Sequence, residues 1–155
     1  MITIGIIHTA YRTREDMPVQ PAGAAGTEAT VILDPEYRAG LADLEGFSHI
    51  YLLYRFHLSA GYELVVQPFL DDRTHGVFAT RAPRRPNPIG LSIVRLLSVR
   101  ENRLTVAGAD VVDGTPLLDI KPYIEAFDRV ERPSSGWLTA SDEAIRNRKS
   151  DRRFS

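Results

Sequence analysis

Three arginines fall within five positions of the segment Arg81-Ala82-Pro83-Arg84-Arg85-Pro86-Asn87-Pro88-Ile89-Gly90, interleaved with three prolines. Proline fixes φ and carries no backbone donor, so this stretch can be neither helix interior nor central strand and reads as a stiff loop. Guanidinium forks bind phosphate and carboxylate bidentately and stack on flat rings. Arginines held in set directions therefore point to an anion or nucleotide site. The competing reading is a rigid surface turn whose arginines make ion pairs. Asn87, with a donor and an acceptor in one side chain, suits either reading the edge of a polar heterocycle or pinning the loop.

A second cluster lies in Asp110-Val111-Val112-Asp113-Gly114-Thr115-Pro116-Leu117-Leu118-Asp119-Ile120-Lys121-Pro122-Tyr123. Asp113-Gly114 is a turn dipeptide. Beyond it, Asp119, Lys121 and Tyr123 alternate, so an extended chain presents all three on one face. Taken by itself the segment is best read as a β-turn and an edge strand, yet three polar groups on one face are unusual for a core strand. Lys121 stands out further because the only other lysine is Lys149.

Several chemistries are excluded or disfavoured. There is no cysteine, so disulfides, thiolate metal sites and cysteine nucleophiles are ruled out. His8, His49, His57 and His75 lack metal-ligand spacing, and no metal is expected. No G-x-S-x-G elbow, Rossmann G-x-G-x-x-G or P-loop is present. The net charge of −1 gives no bulk attraction for nucleic acid, so any such binding must come from a local patch. No apolar run approaches the ~20 residues of a membrane span. The start of the chain lacks the regions of a signal peptide, so a cytoplasmic protein without membrane contact is expected.

The elements that must position these residues are mostly short strands. A length of 155 residues suits one domain with a real core. Strands are expected over residues 1–8, 29–33, 49–57, 63–67, 91–99, 103–112 and 117–120, with Val77 to Thr80 leading into the arginine loop. Asp34-Pro35 reads as a helix start, giving a short helix from Pro35 to Leu44. Glu101-Asn102 reads as a hairpin turn. Short strands separated by turns, with no βαβ rhythm, predict a mainly β fold: a small closed or nearly closed antiparallel barrel with one or two short helices. Ser141 is expected to cap a short helix from Asp142 to Arg148, followed by a charged tail.

Read together, GIIHTAY near the start, Pro18-Val19-Gln20, LADLEGFSHIYLLYRFH, GVFATRAPRRPNPIGLS and DGTPLLDIKPY resemble the TsaA-like family. Its studied bacterial members are tRNA (N6-threonylcarbamoyladenosine-37)-N6-methyltransferases. The matching segments come in family order over most of residues 1–127, which are taken as a TsaA-like barrel domain. Residues 128–155 are taken as a C-terminal extension packing on or trailing from it. The resemblance implies an S-adenosyl-L-methionine (SAM)-dependent methyltransferase that acts on the anticodon loop of tRNA and forms a homodimer with the cofactor near the interface. Carried over by motif, the cofactor contacts would be Pro18, Val19, Gln20, Phe56, His57, Arg81 and Leu91, with Asp110, Val111, Val112, Asp113, Gly114 and Thr115. Longer bacterial members carry a further C-terminal domain, and Ala82 stands where the family often has Ser. The alternatives left open are a SAM- or RNA-binding module without catalysis and a methyltransferase for another substrate.

An exocyclic adenine amine is a poor nucleophile because its lone pair is delocalised into the ring. It needs an acceptor that orients its N–H and takes the proton. On this reading Asp119 is the acceptor, Tyr123 stacks on the base and Lys121 offsets substrate negative charge. Arg84 and Arg85 are the expected RNA-phosphate contacts, with Arg146, Arg148, Arg152 and Arg153 as a secondary set.

Overall fold

The computed structural model describes residues 1–13, 15, 26–139 and 143. In chain order the strands are β1 (Gly5–His8), β2 (Glu28–Leu33), β3 (His49–Arg55), β4 (Val65–Val66), β5 (His75–Gly76), β6 (Ile89–Arg100), β7 (Arg103–Ala107) and β8 (Thr115–Pro122), followed by a four-residue helix, α1 (Glu125–Asp128). Six of the strands close into an antiparallel barrel in the order β1-β2-β7-β6-β3-β8, with β8 pairing back onto β1. The expected closed barrel is therefore the one observed. β4 and β5 form a small ribbon outside it.

Alternation decides what fills the barrel. Along β3 the inward residues Ile50, Leu52 and Tyr54 are buried, while His49 and Arg55 at its ends are exposed. Ile7, Val31, Val94, Leu104, Val106 and Leu117 complete the interior. The β6–β7 hairpin turns through Glu101-Asn102, with Glu101 at φ 56. Asn102 Nδ2 donates to the Leu33 carbonyl at 2.6 Å, which fastens the turn to β2.

Several local expectations change. The strand read over residues 49–57 ends at Arg55, and it alternates where uniform burial was expected. The helix read from Pro35 to Leu44 is a 3₁₀ segment, Pro35–Leu41, and a separate turn, Leu44–Gly46. Asp34 makes no side-chain cap bond and Asp43 sits in the left-handed region at φ 65, so the chain cannot run on as an α-helix. The strand read over residues 63–67 shrinks to β4, and Val77–Ala79 is a 3₁₀ turn leading into the arginine loop. In compensation β8 is longer than the 117–120 expected. The helix read from Asp142 to Arg148 lies outside the described residues apart from Glu143.

Among the described residues, Trp137 gives the extension an anchored contact. Trp137 stacks on His75 with ring centroids 4.4 Å apart, and its indole N–H donates to the Ala79 carbonyl at 2.8 Å. Asp71 faces the same histidine at 2.9 Å, and that hydrogen bond, with the Arg73 backbone N–H, holds the Asp71 carboxyl at about 2. The extension is thereby tied to the β4–β5 ribbon.

Candidate functional site

The carboxyl ends of β1, β3 and β7 and the amino ends of β2, β6 and β8 meet at one end of the barrel, as their registers require. The β7–β8 connection, Gly108 to Gly114, has to cross this end because its two strands are not neighbours. It is pinned as it crosses. Thr9 Oγ1 donates to the Val111 carbonyl at 2.8 Å, the Asp113 N–H donates to the Tyr11 carbonyl at 2.8 Å, and Thr115 Oγ1 donates to the Val112 carbonyl at 2.7 Å. Val111 and Val112 are buried beneath it. Burial opposes ionisation of Asp113, but the Thr9 N–H, His8 at 3.1 Å and Arg12 together hold its carboxyl below the usual range.

The crossing loop delivers Asp110 to a polar chain that begins inside the barrel. The Tyr54 hydroxyl lies 3.0 Å from Ser92 Oγ, and Ser92 Oγ donates to Asp110 Oδ1. Since Ser92 spends its single proton on the carboxylate, Tyr54 must donate to Ser92. Tyr54 is 4% exposed and Ser92 1%, whereas Asp110 is only partly buried. Burial pushes the Asp110 carboxyl up to about 6, against the opposing effects of Ser92, its own backbone N–H and the Arg81 charge. Burial also raises the Tyr54 phenol, which therefore remains a donor. Gly90 makes room for this chain, because a Cβ there would overlap the Tyr54 ring. Phe56 packs edge-on to that ring at 5.5 Å, and its N–H donates to the Pro88 carbonyl. Beside it, the His57 N–H donates to the Arg55 carbonyl at 2.8 Å.

Phe56, His57, Arg81 and the Asp110–Thr115 loop, scattered in sequence, thus belong to one end of the barrel. Pro18, Val19 and Gln20, and the basic residues Arg146, Arg148, Arg152 and Arg153, lie outside the described residues. Leu91 does not join the barrel-end group. It points outward on β6 opposite Leu53 and is 45% exposed.

The trio Asp119, Lys121 and Tyr123 shares one face, as alternation requires, but that face is the outside of the barrel. Asp119 pairs with Lys121 at 3.1 Å, and their side chains are 47% and 62% exposed. Tyr123 lies four positions beyond Asp119, about 13 Å away along an extended chain. Its neighbours are His49 and Tyr51, toward the opposite end of the barrel. Asp119 and Lys121 are paired with each other, and Tyr123 stands apart from them beside His49 and Tyr51.

The arginine loop also proves more self-contained than expected. Arg85 Nη1 lies 3.1, 2.8 and 3.3 Å from the carbonyls of Val77, Thr80 and Ala82, so this guanidinium staples its own loop. Its carbon also lies 5.9 Å from the Phe78 ring centroid. Arg84 pairs with Glu63 at 2.9 Å. Arg84 thus makes an ion pair while Arg85 is bonded to backbone carbonyls, whereas Arg81 is exposed and its charge acts on Asp110 and Tyr54. Sequence reasoning missed Ser92 and Tyr54 because their strands read simply as apolar core. The available signal was a serine at an inward position of β6.

Residues 6–129 match the family model described as the tRNA-methyltransferase O N-terminal domain. A probable S-adenosyl-L-methionine-binding protein of Pyrococcus abyssi is 47% identical over 151 residues, covering 97% of this chain and 82% of the relative. A tRNA (adenine(37)-N6)-methyltransferase of Mus musculus is 37% identical over 134 residues, covering 81% of this chain and 31% of that protein. The crystal structure of TrmO from Pseudomonas aeruginosa matches with a TM-score of 0.73 and 38% identity, covering 87% of this chain and 60% of that one. The chain thus spans about three fifths of that solved structure's length.

Proposed function

Because the chain belongs to the tRNA-methyltransferase O N-terminal domain family, we propose that it is a SAM-dependent methyltransferase acting on tRNA, with N6 of threonylcarbamoyladenosine at position 37 of the anticodon loop as the methyl acceptor. The observation that carries this reading is the meeting, at one barrel end, of an aromatic ring, a guanidinium and a partly buried carboxylate. Those groups suit a ligand with a flat heterocycle, a carboxylate and cationic centres. Phe56 and His57 would border the heterocycle, Arg81 would meet the carboxylate, and the Asp110–Thr115 loop would face the cationic part. Pro18, Val19 and Gln20 complete the proposed set. The bound cofactor supplies an activated methyl group. The protein's task is then to align donor and acceptor and keep water out.

The reading extends to a homodimer. On the outer face of β3 and β6, Tyr51 and Leu53 lie opposite Ile93 and Leu91, forming a largely apolar strip flanked by Asp119, Lys121 and Arg95. A second copy covering this strip would bury Leu91 and bring it toward the partner's cofactor end. In that arrangement Asp119, Lys121 and Tyr123 serve the interface. For the RNA, Arg84 remains usable: a partly exposed pair such as Arg84–Glu63 is worth at most about 1 kcal/mol, so a phosphate can displace Glu63. Arg85 contributes by holding the loop that presents Arg81 and Arg84. A tRNA substrate places the enzyme in the cytoplasm. Among the described residues no helix is long and apolar enough to cross a membrane.

The test is incubation of purified protein with SAM and tRNA, followed by digestion to nucleosides and mass spectrometry. A methyl gain on threonylcarbamoyladenosine supports the proposal. Cofactor binding without product would instead leave a binding module, and a gain on another nucleoside would reassign the substrate. Sedimentation of the wild type and of Leu91→Glu checks the dimer: the variant is expected to be monomeric.

A further inference from the structure

We propose that Asp110 is the proton acceptor of the methyl transfer, held in place by the Tyr54–Ser92 hydrogen-bond chain. The proposal rests on the substrate reading above and concerns a role for Asp110 beyond contact with the cofactor. The acceptor nitrogen in that reading is bonded both to the adenine ring and to a carbonyl, so its lone pair is delocalised in two directions. Such a nitrogen attacks carbon well only as its proton leaves. When it does, the nitrogen electron pair forms the new N–C bond, the C–S pair stays on the sulfur of the donor, and the N–H proton passes to the Asp110 carboxylate. Solvent then removes that proton at the barrel mouth.

Three observations support the assignment. First, Ser92 Oγ anchors Asp110 Oδ1 and is itself fixed by the Tyr54 hydroxyl, so the carboxylate is held from inside the barrel at the end where the loop crosses. Second, two buried polar side chains, Ser92 and Tyr54, are kept among the apolar residues of the barrel interior, and their hydrogen-bond chain ends on this carboxylate. Third, the charged and titratable groups acting on Asp110 are Arg81 from the arginine loop and Tyr54 from β3, and burial outweighs the Arg81 charge to put the carboxyl at about 6. A base with that affinity is mostly ionised at neutral pH and still takes a proton readily. Asp119, exposed and paired with Lys121, has none of these features.

The experiment compares wild type, Asp110→Asn and Ser92→Ala by single-turnover methylation across pH 5 to 9, by SAM titration, and by thermal melting of the cofactor-free proteins. Asp110→Asn is expected to weaken SAM binding, and at saturating SAM to lose about a further hundredfold in single-turnover rate, the usual range for a general base. Ser92→Ala removes a bond that favours the ionised carboxylate, so the acid limb of its pH profile should move to higher pH. The Asp110→Asn melting midpoint should exceed that of wild type above pH 6 and converge with it near pH 4. Wild-type turnover in Asp110→Asn, or an unmoved acid limb in Ser92→Ala, overturns the proposal. A loss in Asp110→Asn that appears entirely as weaker SAM binding also overturns it, leaving a cofactor contact. If wild type itself modifies no tRNA, the functional reading fails first, and that result is distinguishable because the melting comparison is independent of substrate.

Discussion

Asp110 and Asp119 are both aspartates on or beside the same strand, nine positions apart, and they have opposite surroundings. Asp110 sits where a loop crosses the barrel end, anchored by a serine that is wholly inside the protein. Asp119 sits on the outside of β8, half exposed and paired with a flexible lysine. Burial makes the first carboxylate hard to ionise, and the hydrogen-bond chain keeps it fixed. Solvent and Lys121 surround the second. The contrast shows that a carboxylate gains chemical character from the side of the sheet it occupies and from what lies behind it.

The sharpest break of this comparison is in turnover. Asp110→Asn should reduce methyl transfer at least about a hundredfold, while Asp119→Asn should change single-turnover rates by less than about threefold at saturating protein. Equal losses at the two sites would erase the distinction.

Next comes stability against pH. The folded-state affinity of Asp110 is raised from 3.8 to about 6, so the native protein binds more protons than the unfolded chain between those values. Wild type should therefore lose stability as pH rises from about 4 to 6 and stay lower above that. Asp110→Asn removes the penalty, and urea unfolding at pH 8 should show the variant more stable by about 3 kcal/mol, with the gain gone near pH 4.

A smaller effect separates the arginines. Arg85→Ala leaves three carbonyls without their shared donor and should destabilise the protein by roughly 1.5 kcal/mol in urea melts. Arg85→Lys should recover only part of this, since an ammonium lacks the planar fork. The smallest effect is expected for Lys121→Ala, below about 1 kcal/mol, because its partner pair is exposed to solvent and salt.

Much of the frame was legible in advance because it rests on local rules. The short strands, the Glu101-Asn102 hairpin and the stiff proline loop follow from alternation, turn chemistry and the fixed φ of proline. The helix read after Asp34 begins where expected but is 3₁₀ and ends at Leu41, with no side-chain cap bond at Asp34 and a left-handed Asp43 beyond it. The polar chain went unread because Tyr54 and Ser92, 38 positions apart, meet only when β3 and β6 pair. In sequence Arg85 reads as an RNA-phosphate contact because no local pattern shows a guanidinium turning back onto its own loop.

By itself, the sequence determined that the chain is a β-barrel of the tRNA-methyltransferase O N-terminal domain family, and that Asp119, Lys121 and Tyr123 share a face. A period of two guarantees that much, since it orders side chains relative to one another. Only the tertiary structure decided that this face is the outer one, and that the carboxylate anchored from inside the barrel is Asp110. Barrel closure sets which face is inside and which loop crosses the end, and both depend on pairings between strands far apart in the chain.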